Sequence, residues 1–357
     1  MIEFVCGNLL QANVEALVNT VNTEGVMGKG IALQFRRAYP AMFDAYLIDC
    51  KAGRVKLGHM HVYDLGGLVS SGPRWIINFP TKGHWKARSH LSDIQSGLAD
   101  LVKTVRKLGI KSIALPPLGC GHGGLSWGDV RPMIELAFKD LPEVRALLFA
   151  PDGSPDAADM PNRTLEPELT TGRAALIALV DGYLKGLLDP NITLLEIHKL
   201  MYFLQEAGQD LKLQYEAQLY GPYARNLRHV LNRLEGHMIT RFGDGSDRPN
   251  KPIELVPGAV EKASVYLAED AETLARMARV QRLIEGFEDP YGLEVLSSVH
   301  WVMCDDRGAR DSAEEAVKAV LNWNERKRKL IKPAHIEAAW HRLSHEKWAT
   351  ESRSALH

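Results

Sequence analysis

A chain of 357 residues exceeds one typical domain and can bury more than one core. Hydrophobic residues make up 45% and charged residues 24%, and no apolar run approaches the roughly 18 residues that cross a bilayer, which excludes a bundle of membrane-spanning helices. The net charge of −1 hides an asymmetry: residues 1–164 carry 18 Lys+Arg against 15 Asp+Glu, net +3, and residues 165–357 carry 25 against 29, net −4.

In chain order, the start MIEFVCGNLLQANVEA has no basic segment ahead of an apolar core, so no export signal is expected and the protein is expected in the cytoplasm. Six short β-branched runs then read as strands: IEFVCGNL, ALVNTVN, MHVYDL, RWIINFP, SIALPPLG and RALLFAPDG. Amphipathic stretches separate several of them. In the clearest, Ser92 to Leu108, Ile94, Leu98, Leu101, Val102 and Val105 recur at helical spacing and Ser92 can cap the start. Strands alternating with helices predict an α/β unit with the sheet between helix layers over residues 1–155. The stretch from Pro151 to Gly172 has four prolines and little apolar material, and within it residues 156–172 read as a linker. Residues 173–357 are expected to be mostly α-helical, on the runs AALIALVDGYLKGLLD, TLLEIHKLMYFLQEAG, YARNLRHVLNRLEGH, DAETLARMARVQRLIEGF and SAEEAVKAVLNWNERKRKL. Four cysteines (Cys6, Cys50, Cys120, Cys304) stand far apart without a C-x-x-C pair, so no metal site is expected.

Two stretches carry chemistry. In ALVNTVNTEGVMGKGIA, Asn19 and Asn22 fall near a strand end, and each amide offers a donor and an acceptor to ribose hydroxyls. A lone Asn in such a place more often makes a turn. The glycines that follow (Gly25, Gly28, Gly30) change that reading, because closely spaced glycines at a helix start expose backbone N–H groups to phosphate oxygens. The second stretch, PPLGCGHGGLSWGDV, again follows an apolar strand and opens a helix. Two such loops can grip one diphosphate.

Together with the opening GNLL, these stretches resemble the macrodomain family over residues 1 to about 155, and Lys82 in INFPTKGHW resembles its ADP-ribose-removing branch, including the DNA-directed antitoxins of DarG type. The resemblance implies a three-layer α/β/α fold with a mixed sheet and an ADP-ribose site. That site would comprise Asn8, Leu9, Asn19, Asn22, Gly28, Gly30, Ile31 and Ala32 from the first part of the chain, and Pro117, Gly119, Cys120, Gly121, His122, Gly123 and Gly124 from the second loop. Many macrodomains have Asp where this chain has Asn8, whose carbonyl can still accept from the adenine amino group. Phe149 could stack on adenine, although a core aromatic is the blander alternative.

An isolated loop lysine is usually a solvated charge. The resemblance instead makes Lys82 catalytic, acting at the ribose anomeric carbon by attack or by positioning the ribose and leaving group. Protein-directed relatives pair this lysine with an aspartate in a G-C-G-x-D stretch; here that place is Gly123, preceded by His122. The route using both groups is thereby in question, and His122 is either an acid or base or simply an exposed loop histidine. After Lys82, the segment GHWKARSH sets His84, Lys86 and Arg88 around Trp85. Phosphate neutralisation with base stacking suits single-stranded DNA, whereas the alternative is a basic loop with an anchoring Trp.

No catalytic constellation stands out after residue 165. EIHKLMYFLQEAG followed by EAQLYGPYARNL is similar to small helical antitoxin-associated domains with a K-L-x-Y-F run and a later G-P pair. The resemblance as a whole implies an antitoxin that hydrolyses ADP-ribose from DNA bases, with thymidine as the expected base. It also implies partners: ADP-ribosylated single-stranded DNA, ADP-ribose and a DarT-type toxin bound by the second domain, with no cofactor and no membrane. The alternatives are a glycohydrolase or deacylase of protein-linked or free ADP-ribosyl compounds, and a non-catalytic ADP-ribose reader.

Overall fold

In the computed structural model, residues 1–66, 72–151, 160–186, 191–243 and 248–348 are described. All six strand runs of the first part form one sheet. Its strands are β1 (Ile2–Val5), β2 (Ala16–Asn22), β3 (His61–Asp64), β4 (Trp75–Lys82), β5 (Ser112–Leu115) and β6 (Arg145–Phe149). Their order is β1-β6-β5-β2-β4-β3, parallel throughout except for the antiparallel edge pair β3/β4. Four helices cover it: α1 (Gly30–Ala38), α2 (Pro40–Lys51), α3 (Leu91–Leu108) and α4 (Trp127–Phe138).

Strand alternation sorts the core into two layers. Ala16, Val18, Ile77, Phe79, Ala146 and Leu148 pack with Ile94, Leu98 and Leu101 of α3 and Val130 and Ile134 of α4. Their neighbours Leu17, Val21, Ile76 and Leu147 pack with Phe35 of α1 and Met42 and Tyr46 of α2. This is the three-layer mixed sheet expected from the sequence. Phe149 belongs to the second of these layers and is buried, which places it in the core. The start of α3 is a correction: its N-cap is His90, without a side-chain cap bond, so Ser92 lies inside the first turn.

By chain contacts Met1–Leu165, with Gly243, form one unit, and a second comprises Glu166–Phe242 and the described residues from Arg248 on. Part of the stretch read as a linker, residues 156–159, lies outside the described residues, and helix α5 already starts at Thr171, where the Thr170 hydroxyl accepts from Arg173 N. The helices of the second unit are α5 (Thr171–Lys185), α6 (Leu194–Glu206), α7 (Leu227–Leu234), α8 (Ala259–Leu267), α9 (Ala271–Ile284), α10 (Pro290–Asp305), α11 (Arg307–Asp311), α12 (Ala313–Trp323), α13 (Glu325–Leu330) and α14 (Pro333–His345). A hairpin, β8 (Tyr215–Gln218) with β9 (Gly221–Ala224), and a small sheet of β7 (Ile192–Thr193), β10 (Ile239–Thr240) and β11 (Pro252–Leu255) accompany them. A core of its own runs through α5, α6, α9, α10 and α14. No helix among the described residues is long and apolar enough to cross a membrane.

Candidate active site

The parallel register of β2 with β4 sets Asn22 opposite Lys82 across a register shift at Val21/Asn22, so the first glycine loop and the lysine leave the sheet side by side. The strand thus runs through Pro80 to Lys82. β3 stops pairing at Asn78, so past that point a missing N–H on the outer side of β4 leaves no ladder bond unmade. Carboxyl ends of parallel strands are where ligands lie in open α/β sheets.

Asn22 is buried and occupied locally. Its Oδ1 accepts from Glu24 N (2.9 Å) and Val26 N (3.3 Å), its Nδ2 donates to Val26 O (2.6 Å), and the Tyr46 hydroxyl donates to its carbonyl. It therefore shapes the loop. Asn19 corrects the expectation of two strand-end asparagines: it lies within β2, fully buried, one member of a polar ladder inside the α1/α2 layer. Asn19 Nδ2 donates to Asn78 Oδ1 (2.9 Å), Asn78 Nδ2 faces His61 Nδ1 (3.0 Å), and His61 Nε2 faces Asp49 Oδ2 (2.9 Å). Arg54, ahead of His61, holds the Asp49 carboxyl below the usual carboxylate range. Asn19 supports the site from beneath rather than facing it. Asn8 caps a short turn by accepting from Leu10 N (3.0 Å), and Leu9 is buried in the core.

Gly28, Gly30, Ile31 and Ala32 form the partly exposed end of the first loop and the start of α1, where no side chain caps the free N–H groups. Gly30 is left-handed (φ +57°), and a Cβ there would meet the His122 ring at 3.3 Å. Lys82 Nζ donates to the His122 carbonyl (3.3 Å). Gly30, Lys82 and His122 therefore converge. Burial holds the Lys82 ammonium below the usual lysine value. The second loop folds back through Leu125 N to Gly119 O (3.1 Å), with Gly119 (φ +71°) and Gly124 (φ +75°) in the left-handed region. Pro117 and Cys120 are partly buried in it, and desolvation pushes the Cys120 thiol up to about 11, so it stays protonated.

Nothing in the residue pattern marks Ser89. Its N donates to Gly123 O (3.0 Å), and its buried hydroxyl sits where side chains of two loop glycines would go. A Cβ on Gly123 would lie 2.3 Å from Ser89 Oγ and 2.4 Å from Gly119 O. An aspartate at 123 therefore does not fit this loop, which is a physical reason for the departure from G-C-G-x-D. Gly121 is the opposite case, exposed and with nothing within 4 Å of a Cβ.

His84, Trp85, Lys86 and Arg88 are exposed on the segment after Lys82. The His84 and Trp85 rings stack at 5.7 Å, Lys86 Nζ lies 4.8 Å over the Trp85 ring, and His84 Nε2 is 3.6 Å from Glu24 of the first loop. Thr23 N donates to Gly83 O (3.1 Å), tying the two segments together. For a metal, Glu206, His300 and Cys304 come together among the described residues. Both ring nitrogens of His300 are already engaged, with the Tyr202 hydroxyl (2.8 Å) and Trp348 O (3.2 Å).

The macro domain model matches residues 18–134, which covers both glycine loops and Lys82. A DNA ADP-ribosyl glycohydrolase of Thermus aquaticus is 46% identical over 95% of this chain and 92% of its own length. The chain belongs to the DNA ADP-ribosyl glycohydrolase family. A second member, from Mycobacterium tuberculosis, is 44% identical over 96% of this chain and 99% of its own. The solved macrodomain of Mycobacterium tuberculosis DarG is 55% identical, covering 43% of this chain and 99% of that structure, with a TM-score of 0.42. The similarity to whole family members thus extends through the second unit as well as the macrodomain.

Gly121→Ala is expected to leave the melting temperature unchanged while lowering ADP-ribose affinity at least about tenfold, because the methyl group meets only the space a diphosphate would fill. Gly123→Asp should instead lower the melting temperature. Calorimetry and thermal denaturation on the two variants separate these outcomes.

Proposed function

We propose that the protein removes ADP-ribose from ADP-ribosylated bases of single-stranded DNA, thymidine being the base, with Lys82 as the catalytic residue. The observation that carries this reading is the convergence of a partly desolvated lysine with two glycine loops at the carboxyl ends of β2, β4 and β5. The loops hold the diphosphate and distal ribose by backbone N–H groups, and Lys82 meets the anomeric carbon. Its neutral amine forms a bond to that carbon as the bond to the base breaks; water then releases ADP-ribose and restores the lysine. The second loop has Gly123 where protein-directed relatives have an aspartate, which favours a DNA base as leaving group over their protein-linked substrates.

Lys82→Ala is expected to abolish release of ADP-ribose from modified single-stranded DNA while affinity for ADP-ribose stays within about tenfold, about 1.4 kcal/mol. Lys82→Arg, which keeps the charge but cannot deprotonate, should be equally inactive. For the wild type, the single-turnover rate should rise with pH as the amine loses its proton and level off below the ordinary lysine pKa of about 10.4. A pH-independent rate, or an active Arg variant, would remove the amine from the bond-breaking step.

Trp85 with its cationic neighbours provides the DNA contact, a stacking surface beside phosphate-pairing groups next to the scissile bond. Replacing Lys86 and Arg88 together by alanine should weaken DNA affinity but not ADP-ribose binding. The log–log salt slope should flatten by about 1 to 2. An unchanged slope would return these charges to the solvent.

The second unit is the binding domain for a DarT-type toxin. Its own core, its net −4 and its lack of a catalytic constellation support this, since complementary charge speeds association with a basic DNA-binding face. A fragment of residues 165–357 is expected to co-purify with the toxin and restore growth to cells expressing it. If the fragment neither binds nor protects, while residues 1–164 rescue fully, the second unit has no toxin-binding role.

A further inference from the structure

Within the second unit, a cavity of about 410 Å³ opens between α6, the β8–β9 turn and the start of α7. This volume lies in the range of about 300–1,000 Å³ that small-molecule sites occupy. The Gly221–Pro222 corner builds one wall. Gly221 is left-handed (φ +91°), and a Cβ there would lie 2.8 Å from Ser298 Oγ, so the turn lies directly on α10. Lys199, fully buried beneath it, donates from Nζ to Pro222 O (2.6 Å). Lys327, also fully buried, bonds Ser298 Oγ (2.9 Å) and Glu294 (2.8 Å). The corner therefore rests on a rigid polar base and cannot collapse into the cavity.

Two tyrosines flank this corner and line the cavity. The His198 ring stacks on Tyr223 at 4.2 Å and 23°, and the Arg326 guanidinium lies 4.3 Å over Tyr220. His198 lines the cavity and is itself buried, with an Nδ1 that finds no partner. Leu194 and Leu195 add apolar surface. Arg225 and Arg228 also line it; Arg225 Nε is 3.8 Å from Glu216 in an exposed pair, which a phosphate accepting both arms of a guanidinium displaces.

We propose that this cavity is a nucleotide subsite, separate from the glycine loops of the macrodomain, in which a planar base packs against the tyrosine walls and a phosphate is held by Arg225 and Arg228. Flat aromatic walls with forked cationic donors match a ring bearing a phosphate better than an aliphatic or peptide chain. The nucleotide is either free or the 5′-phosphorylated end of a DNA strand.

The test is calorimetry on the full chain with thymidine 5′-monophosphate. It is expected to bind at least tenfold more tightly than thymidine or inorganic phosphate alone. Two variants locate the site: Arg225→Glu with Arg228→Glu removes the charge, and Leu195→Trp fills the cavity without touching a charge. Each should weaken binding at least tenfold with an unchanged circular dichroism spectrum, whereas a nucleotide seated on the macrodomain loops would be insensitive to both. Competition by a 5′-phosphorylated oligonucleotide but not by its 5′-hydroxyl form identifies a strand end as the source; competition by neither identifies the free nucleotide. The proposal is overturned if no nucleotide binds, if either variant binds as the wild type does, or if an acidic aromatic peptide binds at these residues and the nucleotide does not.

Discussion

The parallel pairing of β2 with β4 is the constraint on which the candidate site depends. A parallel ladder has no freedom to slip by one residue without turning every core side chain to the wrong face, and here both faces are buried under helices. With Leu17 opposite Ile76 and Val18 opposite Ile77 the unbroken register would bring Asn22 to Thr81, and the shift at Val21/Asn22 sets it opposite Lys82 instead. The polar ladder from Asn19 through Asn78 and His61 to Asp49 crosses the same pair of strands and continues into β3 and α2. It adds directional bonds to a register that apolar packing already selects, and it ties α2 to the sheet under the first loop. Tyr46 of α2 completes that link by bonding the Asn22 carbonyl.

The second loop is set by a different kind of constraint, the exclusion of side chains. Ser89 fills the space beside Gly119 and Gly123, while its backbone bonds Gly123 O. The segment carrying Lys82, Trp85 and Arg88 and the loop carrying His122 are thus fastened at a second point beyond the Lys82–His122 bond. An aspartate at position 123 would require that fastening to open.

Much of the first unit was legible in the sequence because each strand there is a short β-branched run ended by turn residues, and each glycine loop sits at a strand-to-helix junction. What could not be read were partners distant along the chain. Asn19 and Asn22 look equivalent in VNTVN, yet one is within the strand core and the other at its end. Ser89 looks like any loop serine, because its partners Gly119 and Gly123 lie about thirty residues on. In the second unit, α6 and α9 were visible from their apolar spacing. Helix α10 was not, because most of its residues from Gly292 to Cys304 are buried and little amphipathic period remains. The run from Ser312 to Leu330 reads as one helix but breaks at Asn324, whose side chain caps α13 by accepting from Lys327 N.

In the proposed function this site, a lysine between two glycine loops with Gly123 in place of an aspartate on the second, serves a nucleobase leaving group. The most direct measurement is the single-turnover rate of ADP-ribose release by the full chain from ADP-ribosylated single-stranded DNA and from a glutamate-linked ADP-ribosyl peptide at equal concentration. The DNA substrate is predicted to be cleaved faster by about a hundredfold or more, on the order of 3 kcal/mol of transition-state discrimination. Equal rates, or faster release from the peptide, would contradict it.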